Sequence, residues 1–147
     1  MMDTGPHRIE MAEWISCAPF ERLLQMNIER AEGGVAVLTM PFTRELAQGA
    51  GLMHGGALVS LADTAVVMAI KSFLPPKTHF ATISMESRFL YPVTRGIVTA
   101  RAQVTEADGR LLHGVAHLYD QEEREVMQFT SLFKVAKKQL ATEQAEG

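Results

Sequence analysis

The chain has 147 residues and a mass of 16.2 kDa, is 47% hydrophobic and 21% charged, and carries a net charge of −3. That length suits one domain, which buries roughly 70% of its unfolded surface, so a full core is within reach. The mildly acidic balance lacks the basic footprint of a nucleic-acid binder, a lone cysteine (Cys17) precludes an intramolecular disulfide or a cysteine-based metal cluster, and no apolar run approaches the ~20 residues of a membrane span. The opening residues, Met-Met-Asp-Thr-Gly-Pro-His-Arg, contain no apolar signal core, so a cytoplasmic setting is expected.

Residues 1–19 read as an N-terminal helical extension of a single domain spanning 1–147. Within it Met11, Trp14 and Ile15 form a stripe over Ile9 to Cys17, stopped ahead of Pro19 because the residue before proline is driven out of the helical region. Such an element would pack as a lid or flank. Gly33-Gly34 then turns the chain into a strand, Val35 to Met40, ended by Pro41, with Met26 to Arg30 as its hairpin partner. A loop from Thr43 to Met53 follows and feeds the His54-Gly55-Gly56 turn, a good place for a site.

The stretch from Leu52 to Ile70 is the most apolar of the sequence. Leu58, Leu61, Ala62, Ala65, Val66 and Ala69 fall at helical spacing, and Val59, Val67 and Ile70 extend apolarity around the rest of the surface, which predicts a core helix. Its one acid is Asp63. Past Pro75-Pro76 the chain alternates as strands: Ala81 to Tyr91, Ile97 to Thr105, Leu111 to Tyr119 and Val126 to Val135, read as an antiparallel meander with a hairpin turn at Asp108-Gly109. In the first of these, Ile83, Met85, Phe89 and Tyr91 share one face, and Thr82, Ser84, Glu86 and Arg88 share the other. From Lys137 to Gly147 the tail is polar and should fray. Small inward residues at Ala100, Ala102, Gly114 and Ala116 allow a helix to approach closely, giving an α+β fold in which one curved antiparallel sheet wraps a central helix. Its open edges and remaining apolar surface predict a homo-oligomer, a dimer or a dimer of dimers.

A carboxylate in an apolar helix costs several kcal/mol of desolvation if ionised and unpaired, so Asp63 should have strong partners or a raised pKa. It could then act as a general base toward water or as a nucleophile, with the Gly55 and Gly56 amides holding the developing oxyanion. A partly exposed helix position or a hydrogen-bonded dimer contact would equally explain an acid there. His54, beside the Gly-Gly turn, suits fixing the loop through a backbone bond, and no cluster at metal-ligand spacing accompanies it. No Gly-x-Ser-x-Gly elbow, dinucleotide fingerprint or phosphate loop occurs, so no cofactor is expected.

His54-Gly55-Gly56 followed by Leu61-Ala62-Asp63-Thr64-Ala65, with Phe89-Leu90-Tyr91-Pro92 further on, resembles the signature of hotdog-fold acyl-CoA thioesterases of the PaaI-like (phenylacetic acid degradation) type. The resemblance covers roughly Phe20 to Val135. It implies a hotdog fold, and a Gly55 amide that polarises the thioester carbonyl. It implies Asp63 as base or nucleophile, Gln48 in the place of an assisting asparagine, and Thr82 placing water from across a dimer interface. Coenzyme A would be part of the substrate, its phosphates meeting Arg95 with Thr94, or Arg88, while Met53, His54 and Gly56 would border the acyl group. A non-catalytic acyl-CoA-binding module and a hotdog dehydratase or hydratase are the other readings.

Overall fold

The computed structural model describes residues 1–137, and the predicted polar tail lies beyond them apart from Lys137. In chain order the elements are α1 (Pro19–Leu23), β1 (Asn27–Glu32), β2 (Val35–Pro41), a 3-10 turn (Arg44–Leu46), α2 (Gly55–Lys71), β3 (Phe80–Phe89), β4 (Ile97–Asp108), β5 (Leu111–Tyr119) and β6 (Glu125–Val135). All six strands join one antiparallel sheet in the order β1-β2-β4-β5-β6-β3. The sheet packs around α2, the arrangement the small-residue stripe called for.

The predicted core helix begins at Gly55 and ends at Lys71. Leu61, Ala62, Ala65, Val66, Ala69 and Ile70 are each fully buried, and the helix packs on β2, β4 and β5. Contact is tightest at Gly114, where a Cβ would stand 2.4 Å from Cγ1 of Val66. Only glycine lets the two backbones come this close. The β1–β2 hairpin closes as predicted on Gly33 and Gly34, at φ +57 and +84, the two left-handed positions that a tight hairpin turn asks for. The turn between β5 and β6 depends on Asp120, whose Oδ1 accepts from the backbone N–H groups of Glu122 and Arg124.

Three expectations are corrected. Ile9 to Cys17 does not form a helix: residues 12–16 are a run of bends, and the short helix sits instead at Pro19–Leu23, where Pro19 occupies the first turn that tolerates a missing N–H. Nor do the last four strands form a simple meander. β3 pairs with β6 at the far edge, and the chain returns to β4 through buried Val93, whose carbonyl accepts from the Met53 N–H.

The third correction concerns the faces of β3. Its pairing with β6 slips between Thr82 and Ser84, leaving Ile83 as an extra residue. This bulge flips the alternation, so Thr82 stands opposite Phe133 on the same side as Met85, Ser87 and Phe89, which face Ser131, Phe129 and Met127. The apolar residues of the strand are not half-buried as predicted. Ile83, Phe89 and Tyr91 each retain more than half of their exposure.

Candidate active site

Asp63 lies on the side of α2 that looks toward β3, and the bulge in that strand brings Thr82 to it: Thr82 Oγ1 donates to Asp63 Oδ1 at 3.1 Å. The contact is made within one chain, which corrects the expectation that Thr82 arrives from another subunit. Burial pushes the Asp63 carboxyl above its ordinary range, because removing solvent penalises the charged form more than the Thr82 hydrogen bond favours it. The carboxylate opens into a cleft of about 340 Å³ with Ser60 and Thr64 on the same helix, Val59 and Val67 beside them, Met85 from β3, and Phe20 and Glu21 from α1. An acid with a raised pKa in a mostly apolar cleft is suited to taking a proton or attacking a carbonyl.

At the start of α2, His54 is the N-cap, and its Nδ1 accepts from the Gly56 N–H at 2.8 Å. The histidine therefore fixes the loop, as its position beside the glycines suggested. The same bond consumes the Gly56 amide, so of the two predicted oxyanion donors only Gly55 remains. Its N–H, the first of the helix, meets no acceptor among the described residues, and the ring of Phe89 packs against its Cα side, 3.3 Å from where a Cβ would be.

Gly55 and Asp63 are eight residues apart on a straight helix, a separation of about 12 Å along its axis at ~1.5 Å per residue. A carbonyl polarised by one cannot be attacked from the other in the same chain.

The remaining candidates divide. Gln48, Thr94 and Arg95 line one cleft with Phe42, Arg44 and Gly96. There the Gln48 side-chain oxygen accepts from the Ala50 N–H, leaving its amide nitrogen to donate elsewhere, and Arg95 pairs with Glu122 at 3.2 Å with both side chains largely exposed. Arg88 is not part of either cluster. Paired opposite Gln128, it lies with Glu86 and His117 on the sheet surface that faces away from α2. Met53 is buried to 5% exposure and bridged to Ala47, a core residue and not a pocket wall. Sequence reasoning missed Phe20, Glu21 and Met85 as neighbours of Asp63. Ser60, Asp63, Thr64 and Val67 follow the spacing of one helix face and could have been read together, but nothing local announces that α1 reaches them.

Against known proteins, the thioesterase superfamily profile matches residues 50–127, just over half of the chain and all of the segment from His54 through β5. The chain belongs to the thioesterase superfamily. A Halobacterium salinarum protein named "putative esterase" is 33% identical over 100 residues, a match spanning 65% of this chain and 64% of that relative, slightly under two thirds of its length. Among solved structures, conserved protein PA5202 of Pseudomonas aeruginosa superposes with a TM-score of 0.78 at 26% identity, covering 82% of this chain and 95% of that one. The E. coli PaaI protein of the phenylacetic acid degradation operon gives 0.75 at 27%, covering 83% and 87%. These likenesses and the six strands curled on one long helix establish a PaaI-like hotdog fold.

Proposed function

We propose that this protein hydrolyses acyl-CoA thioesters to a free acid and coenzyme A. The observation that carries the reading is Asp63: a desolvated carboxyl, held by Thr82, opening into an apolar cleft on a superfamily helix. Asp63 takes a proton from water as the water oxygen attacks the thioester carbonyl, and the carbonyl oxygen becomes an oxyanion stabilised by the Gly55 N–H. Collapse of this intermediate breaks the C–S bond, and the proton leaves with the thiol. Direct attack by Asp63 through an anhydride that water then cleaves yields the same products.

The separation of Gly55 from Asp63 requires a second copy, whose α2 N-terminus reaches the Asp63 cleft of the first. Supporting such a homo-oligomer is the edge strand β3, which leaves Ile83, Met85 and Phe89 exposed, continued by Tyr91. Arg95, Thr94 and Arg44 form the basic rim suited to the phosphates of coenzyme A, and Gln48 stands in the same cleft with a free amide donor. His54 borders the carbonyl site through its cap. No helix among the described residues is long and apolar enough to cross a membrane, and we place the reaction in the cytoplasm with no cofactor beyond the coenzyme A of the substrate.

Thiol release from a panel of acyl-CoA esters tests this. Asp63→Asn should lower kcat/KM by roughly 10²-fold or more while circular dichroism stays unchanged. Undiminished turnover by the variant would refute the mechanism. Tight binding of the esters without turnover by the wild type would make the protein a binding module, and addition of water to enoyl-CoA without thiol release would make it a hydratase.

A further inference from the structure

The segment ahead of β1 is built in a way its own packing does not explain. No residue of α1 is buried, and Phe20 keeps 51% of its exposure, so the helix contributes little to the core. Yet it is held at both ends. Upstream, the Trp14 indole N–H donates to the Lys71 carbonyl at 2.9 Å, satisfying an orphan carbonyl of the last turn of α2, and Lys71 Nζ donates back to the Trp14 carbonyl at 3.1 Å. That ammonium also lies 4.8 Å from the centre of the indole ring. Downstream, the Met26 N–H bonds to the Glu21 carbonyl, and Gln25, at φ +59, turns the chain directly into β1. Glu21 Oε1 accepts from the Ala18 N–H and stiffens the turn between. What this doubly anchored helix does touch is the Asp63 cleft, which Phe20 and Glu21 border.

We propose that α1 is the selecting wall of the acyl site, Phe20 setting how long an acyl group can be and Glu21 turning away those that end in a negative charge, with the Trp14–Lys71 clasp as the positioning device. The inference rests on the thioesterase reading and narrows it to a substrate class. The partner's α2 N-terminus closes this cleft, and what the single chain contributes to the acyl site is the wall that Phe20 and Glu21 of α1 form beside Asp63. Val59, Val67, Met85 and Phe20 give the cleft apolar surface beside the polar Ser60, Asp63, Thr64 and Glu21. Such a wall favours uncharged acyl groups over those that end in a carboxylate.

The test compares kcat/KM across acyl-CoA esters of increasing chain length, a single-ring aromatic ester and an ester with a terminal carboxylate, in the full chain. Phe20→Ala should raise the long-to-short ratio about tenfold, the scale on which apolar pockets discriminate methylenes, and Phe20→Trp should move it the opposite way. Trp14→Ala should shift the ratio in the direction of Phe20→Ala, because the wall is no longer held. Glu21→Gln, which keeps the bond from Ala18, should admit the carboxylate-terminated ester roughly fivefold better, an effect that shrinks at high salt. Opposite shifts from Ala and Trp at one position are not produced by a purely structural residue. If the wild type turns over the panel and all variants change it uniformly, the selecting wall is refuted and the thioesterase reading stands. If the wild type binds thioether analogues without turnover, the thioesterase reading fails, and the same ratios in Kd decide the wall. Absence of both turnover and binding refutes both.

Discussion

The two sides of α2 differ in residues and in packing. On the side packed on β2, β4 and β5, alanines and glycine bring helix and sheet so close that Val66 occupies the space of a Gly114 side chain. Toward β3, Ser60, Asp63 and Val67 stay partly exposed, and a bulged edge strand supplies one hydroxyl in place of a packed layer. The closed side makes the helix a scaffold, because close-packed interiors do not yield to small displacements. The open side can then hold a carboxyl half out of water without the helix moving to relieve it. Desolvation of Asp63 is sustained by packing elsewhere on the same helix.

This contrast can be broken from the closed side first. Gly114→Ala should cost ~1–3 kcal/mol through overpacking against Val66, read as a loss of several degrees in Tm. A change on the open side should be felt in chemistry more than in stability. Thr82→Val removes the hydrogen bond that favours the charged carboxylate, so the Asp63 pKa should rise further. The acid limb of the pH–rate profile should move to higher pH, with Thr82→Ser restoring it.

The smallest effect sharpens the comparison. A carboxyl whose folded pKa is raised binds its proton more tightly in the folded state. Its contribution to stability is therefore complete below the ordinary value of 3.8 and is lost as pH rises through the raised one. Asp63→Asn should thus gain on the wild type in thermal stability on going from acid to neutral pH, while losing activity. A parallel pH dependence of the two proteins would mean that the open side costs nothing.

Much of the closed side was legible because a fully buried helix and the sheet beneath it write their contacts into local periodicity. Leu61, Ala65 and Ala69 on one element, and Ala100, Ala102, Gly114 and Ala116 on others, match from the sequence alone. Asp63 stood out for the same reason, as the lone acid in that pattern, and His54 as the cap of the turn before it.

The open side was less legible. A one-residue bulge shifts which face every later residue of a strand occupies, so period-two reading placed Thr82 with Ser84 and away from Met85. Arg88 was expected at the coenzyme A phosphates and Met53 beside the acyl group, and the fold sends one to the outer surface and the other into the core. Residue types and their spacing determined an α+β fold with one antiparallel sheet curled on a central helix, a helix with one acid in apolar surroundings and a glycine donor at its start. Only the tertiary structure decided that Thr82 meets Asp63 within one chain and that α1 overlooks the cleft. Those are long-range placements, set by register, crossover and anchoring, and no local pattern encodes them.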